Sequence, residues 1–205
     1  MLANTFDLLY DTIMHPHQAF ANITQRPFNR EAVLAFILLV VLSSLAGVGL
    51  VGGGALALVG ISLLSGAAGM FFWSAILHLT VTLLGADGDV RGLLRALPFA
   101  QFPQAFASFL PILLLWIPSI EVTGIVGILS AALTIWALYL QVLAISINYR
   151  IDISRAIIAF IIPGVALFFF ILALIGLMIF SFFSALTADP TIWQQLPQDL
   201  PGMPF

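Results

Sequence analysis

PGVALFFFILALIGLMIFSFFSAL, residues 163–186, decides the fold class. The run carries no charged side chain and exceeds the roughly 20 apolar residues that carry a helix across a bilayer's hydrocarbon core. A helix apolar on every side has no face to offer water, so it belongs in a membrane or deep in a large core. The rest of the chain decides between the two. Of 205 residues, 62% are hydrophobic and 7% charged, against about a quarter charged in a soluble domain. One core of this size cannot hide so much apolar surface from water. The chain reads as an all-α polytopic membrane protein. A soluble enzyme and a disordered chain are excluded.

The charge balance narrows the partners. With six arginines, no lysine and a net charge of −3, there is no basic face for nucleic acid. The absence of cysteine removes disulfides and thiolate metal sites. The opening residues MLANTFDLLY hold no Lys or Arg and include Asp7, and no long apolar run follows before residue 32. No cleaved signal peptide is expected on that pattern.

Working outward from the opening run, hydropathy predicts four further spans. They cover residues 32–51, 61–84, 102–117 and 122–147, with Gly52-Gly53-Gly54 as the turn after the first. The fifth span ends near Leu186. Ser154 is a candidate N-cap for it, but a helix from there would be about 48 Å long. Pro163-Gly164 therefore predicts a kink, or a short interfacial helix followed by the span. Arg26, Arg30, Arg91, Arg95, Arg150 and Arg155 all fall on one side of this arrangement, and Glu121, Asp189 and Asp199 on the other. Basic loops face the cytoplasm, so the N-terminus is expected inside and the C-terminus outside. Three parts follow: a cytoplasmic amphipathic segment (1–30), a five-span domain (31–187) and a Pro-rich extracytoplasmic tail (188–205). Trp193 of the tail is expected at headgroup level.

Two segments read as in-plane helices. Leu2, Phe6, Leu9 and Ile13 share helical spacing, so this segment should lie on the membrane surface or cover the bundle. Val90 to Leu97, capped by Asp89, sets Arg91 and Arg95 four residues apart. Those arginines are expected to meet anionic lipid phosphates, or else to grip a specific anionic ligand.

Catalytic patterns are missing. The string Gly85-Ala86-Asp87-Gly88-Asp89 departs from the Gly-x-Gly-Asp of intramembrane aspartyl proteases, because Ala86 stands at the first glycine and no second intramembrane aspartate exists. It reads as a turn and helix cap. Catalytic, metal and cofactor residues are accordingly expected to be none. His78 is the titratable group well inside a span, with Ser74 one turn before it and Thr82 one turn after. A neutral His78 bonded to Ser74 or to a neighbouring helix is one reading, and a ligand-binding or proton-accepting residue is the other. Gln101, Gln104, Gln141, Asn148 and Tyr149 crowd the same cytoplasmic third. The pattern predicts a polar vestibule open to the cytoplasm around His78, Ser74, Gln101, Gln104 and Gln141. Pro103 and Pro111 fit either packed kinks or the broken helices of transporters. Gly60, Ser65, Gly66 and Gly69 read as a close-packing face.

HPHQAFANITQRPF (residues 15–28) resembles the opening segment of bacterial Ypt-interacting-protein (YIP) domain proteins. LLGADGDVRGLLRALPFAQFP (residues 83–103) resembles that family's glycine-containing loop, amphipathic segment and proline-opened third span. The resemblance covers essentially residues 10–186. It implies five spans, a cytoplasmic N-terminus, a short outer C-terminus and a place in the bacterial cytoplasmic (inner) membrane. Eukaryotic members are linked to Rab-type GTPases and carry long cytosolic extensions. About 30 residues precede the first span here, so a GTPase partner is not expected. Membrane lipids, other membrane proteins and further copies of the chain are the expected partners. The leading functional reading is a non-enzymatic organiser of partners or lipids. The second is a small transporter or lipid-handling protein built on the vestibule.

Overall fold

A computed structural model describes residues 2–25, 30–51, 55–117 and 119–188, with the side chains of 2, 3, 45–51, 55, 56, 115 and 186–188 outside the description. Arg26, the Gly52–Gly54 turn, Pro118, Asp189, Asp199, Trp193 and the rest of the Pro-rich tail lie outside the described residues. The described elements are α1 (Leu2–Met14), α2 (Pro16–Gln25), α3 (Arg30–Val51), α4 (Ala55–Leu83) and α5 (Val90–Phe109). A 3-10 turn (Leu110–Ile112), α6 (Leu113–Trp116), α7 (Ile120–Tyr149) and α8 (Ile153–Ala188) complete them. The described residues contain no strand. By length and composition, stretches of α4 (Ala57–Leu83), α7 (Ile120–Tyr149) and α8 (Ile153–Ala185) can cross a membrane.

The chain divides into two compact units, Met1–Ile162 and Pro163–Phe205. In the first, α5 and α7 lie antiparallel side by side. Asn148 reaches the carbonyl of Asp89 at one end (2.8 Å), and Ser130 reaches the carbonyl of Ala107 further along (3.4 Å). Two apolar clusters flank this pair. One joins Leu8, Leu9, Phe20 and Ile23 of α1–α2 to Ala35 of α3, Phe99 of α5 and Leu143 of α7. The other joins Leu77 and Val81 of α4 to Leu97, Ile145 and Ala156.

The N-terminal segment thus covers the bundle, with Phe20 and Ile23 fully buried. The inward stripe on α1 is Thr5, Leu8, Leu9 and Thr12, which keeps Leu9 of the expected stripe and corrects Phe6, which is exposed. Thr12 can turn inward because its hydroxyl bonds back to the Leu8 carbonyl (2.7 Å). Phe6, Tyr10 and Met14 form an exposed stripe instead.

A second correction concerns α5. Val90–Leu97 is not a separate in-plane helix. It continues through Pro98 and Pro103 as one helix to Phe109. A mid-helix proline costs roughly 3 kcal/mol when nothing offsets it. Here Leu93, Ala96, Leu97, Phe99 and Ala100 are all buried, and that packing outweighs the local penalty. At Pro111 the missing N–H leaves the Ala107 carbonyl without its helical donor, and the Ser130 hydroxyl supplies one from α7. The third correction is at α8, which starts at Ile153, so Ser154 lies in its first turn and does not cap it. The helix runs through Pro163, and the boundary between the two units falls at that proline. In the second unit every residue from Gly164 to Ala185 is exposed.

Candidate functional site

The polar side chains gather where α4 ends, α5 begins and α7 ends. Asp89 is the hub. Its Oδ1 caps α5 by accepting from the Arg91 N–H (3.0 Å), and its Oδ2 accepts from Arg95 Nη2 (3.3 Å). Its carbonyl accepts from Asn148 Nδ2. Arg95 also donates from Nε to the Arg91 carbonyl (2.9 Å). Sequence dictates this knot: an N-cap aspartate six residues ahead of an arginine places the carboxylate and the guanidinium on the same opening turn and a half. The Arg95 side chain is 10% exposed, and its Nη1 is buried with no hydrogen-bond partner.

Two glycines let the helices close here. A methyl group on Gly92 would overlap the Asn148 carboxamide, and one on Gly88 would overlap the Tyr149 ring. Tyr149, its ring against Gly88, places its hydroxyl 2.7 Å from His78 Nδ1. One tyrosine therefore ties the end of α4, the connecting loop and the end of α7 together. α7 stops at Arg150, which takes the left-handed conformation (φ 52°) and donates its N–H to the Ser146 carbonyl. A polar cleft of about 270 Å³ opens between Thr24 and Gln25 of α2, the Asp87–Asp89 loop, and Asn148 and Arg150.

The expected vestibule residues are spread over these surroundings. His78 is half-buried and partnered by Tyr149, not by Ser74, whose buried hydroxyl folds back onto the Met70 carbonyl (2.7 Å). Gln141 is buried in the middle of the α7 face that carries Ala137, Ala144 and Ile145. The α5–α7 pairing sets it level with Ala96. Gln101 is half-buried and lines a cleft between α3 and α4, while Gln104 is exposed. Of the two arginines singled out, Arg91 is exposed and Arg95 turns inward to Asp89. The Tyr149 partnership was within reach of the sequence, because His78 and Tyr149 both lie toward the basic end of their spans. The close approaches at Gly88 and Gly92 carried no such signal. Among the described residues no group of three or more His, Asp or Glu side chains is placed to hold a metal ion.

Long apolar helices packed at one end through a polar knot define a helical integral membrane protein. The chain belongs to the Yip1 family: the model of the Yip1 domain matches residues 10–175. That family is associated with membrane trafficking and not with catalysis. Neither a curated protein nor a solved structure matches the chain.

Proposed function

We propose that this chain is a five-span, non-catalytic protein of a bacterial cytoplasmic membrane that organises partner proteins or lipids, with its N-terminus inside and its C-terminus outside. The spans are α3, α4, the α5–α6 stretch, α7 and α8. One observation carries the reading. From Gly164 to Ala185 the helix is exposed on every side, and its surface is almost wholly apolar, so lipid or another helix must meet it. The orientation draws support from Arg91, Arg95 and Arg150, which lie together at the Asp89 end. Non-catalytic character draws support from the site itself, where Asp89, Arg95, Asn148, His78 and Tyr149 hold one another.

The natural chain has no cysteine, so single thiols report topology cleanly. In intact cells a membrane-impermeant maleimide should label Glu121→Cys, and should reach Asp87→Cys and Arg150→Cys after permeabilisation alone. Labelling of Asp87→Cys in intact cells overturns the orientation. A photo-crosslinker at Phe169 in native membranes tests the organising role. A discrete protein adduct, or one lipid class captured out of proportion to its abundance, supports it. Adducts that merely follow lipid abundance refute it.

A further inference from the structure

Between α3 and α4 three clefts of about 160, 200 and 340 Å³ run into one another. The first two share Phe36 and Met70 as walls, and the second and third share Leu39, Val40 and Gly66. Together they form one furrow along α3 from Ala32 to Ser44, or about 18 Å by helical rise. One leaflet of hydrocarbon is about 15 Å deep, half the roughly 30 Å core. α5 supplies the furrow's third wall through Leu94, Pro98 and Gln101. Arg91 stands three residues before Leu94 and seven before Pro98, on the same helical stripe. Its side chain is exposed and, among the described residues, makes no ion pair or hydrogen bond. Arg30, also exposed, opens α3 two residues before the furrow begins at Ala32.

We infer that this furrow holds one acyl chain of an anionic phospholipid, whose phosphate is met at the mouth by Arg91 and Arg30. The length matches one leaflet, the walls are mostly apolar from Ala32 to Val40 before Ser43, Ser44, Ser62 and Ser65 line the far end, and the charge sits at the end where a headgroup would lie. A phosphate gains a charge-assisted contact that a zwitterionic headgroup shares with its own choline. The inference rests on the membrane-organising reading and gives it a lipid class and a site.

Native mass spectrometry of the full chain, extracted from vesicles of equal phosphatidylglycerol and phosphatidylcholine, tests it. The chain should retain one phosphatidylglycerol. Arg91→Gln should cut the preference for that lipid at least tenfold, while Arg150→Gln, away from the furrow, should change it less than twofold. Gly69→Leu fills the furrow from a position where an added Cβ meets nothing within 4 Å, and should lower retention of both lipids. A second measurement keeps Trp73, which lines the furrow, as the sole tryptophan (Trp116, Trp136 and Trp193→Phe). Phosphatidylglycerol with brominated chains should quench it at least twofold more than brominated phosphatidylcholine. Equal retention of the two lipids, an Arg150→Gln effect equal to that of Arg91→Gln, or unchanged retention in Gly69→Leu overturns the inference. So does a Gly69→Leu variant that dissolves a dimer and keeps its lipid, since the occupant would then be a second copy. Topology labelling and Phe169 crosslinking read other positions, so the broader reading can stand while this one falls.

Discussion

Replacing Asp89 separates charge from capping geometry at the start of α5. Asp89→Ala removes the N-cap acceptor, worth about 1 kcal/mol. It also strips Arg95, whose side chain is 10% exposed, of its carboxylate. A charge-assisted hydrogen bond is worth about 1.5–3 kcal/mol. The Asp89 side chain is 56% exposed, however, and water screens that contribution to about 1 kcal/mol. The sum is about 2 kcal/mol. Asp89→Asn keeps the capping oxygen and loses the charge alone, costing about 1 kcal/mol. Arg95→Met should cost less than about 1 kcal/mol, because it removes the unpartnered Nη1, keeps the buried stem and leaves an aspartate that water can reach. Adding Arg95→Met to Asp89→Ala should then cost almost nothing further. Thermal unfolding of the full chain in one detergent at one scan rate reads the order. At about 2–4 °C per kcal/mol for a chain of this size, Asp89→Ala should lower Tm by about 4–8 °C. If Arg95→Met is as damaging as Asp89→Ala, or Asp89→Asn equals Asp89→Ala, the reasoning is wrong.

Gly92→Ala should displace the Asn148 carboxamide and break its bond to the Asp89 carbonyl, lowering Tm by more than Asn148→Ala does, since overpacking adds to the lost bond. His78→Ala and Tyr149→Phe should each cost about 1 kcal/mol, and together scarcely more than either alone if the 2.7 Å bond is what both remove; full additivity in the double variant refutes the pairing. Ser130→Ala should cost about 1 kcal/mol in the natural chain, where Pro111 leaves the Ala107 carbonyl without its helical donor. In a Pro111→Ala background, where a helical N–H returns, the same change should be close to neutral, and an undiminished cost there argues against the compensation.

Composition and hydropathy made the helical membrane class legible, because a bilayer tolerates few backbone solutions and the apolar runs are long. The cap at Asp89 was legible too, since an aspartate before an amphipathic stretch is a local signal. α5 was misdivided because Pro98 and Pro103 speak locally for a break, whereas Leu97, Phe99 and Ala100 are held by neighbours that lie far off in sequence. The same limit scattered the expected vestibule. Depth along a span placed His78, Gln101 and Gln141 at similar levels, but rotation about each helix decides what they meet. Gln101 faces the α3–α4 furrow, and His78 meets Tyr149.

The cover made by α1 and α2 sets an order on biosynthesis. Phe20 and Ile23 leave the ribosome early, yet the surfaces that bury them belong to α5 and α7, translated long afterwards. Until α7 has entered the membrane, this segment has no finished seat. Through most of its synthesis the nascent chain must hold this amphipathic ribbon without the packing that finally buries it.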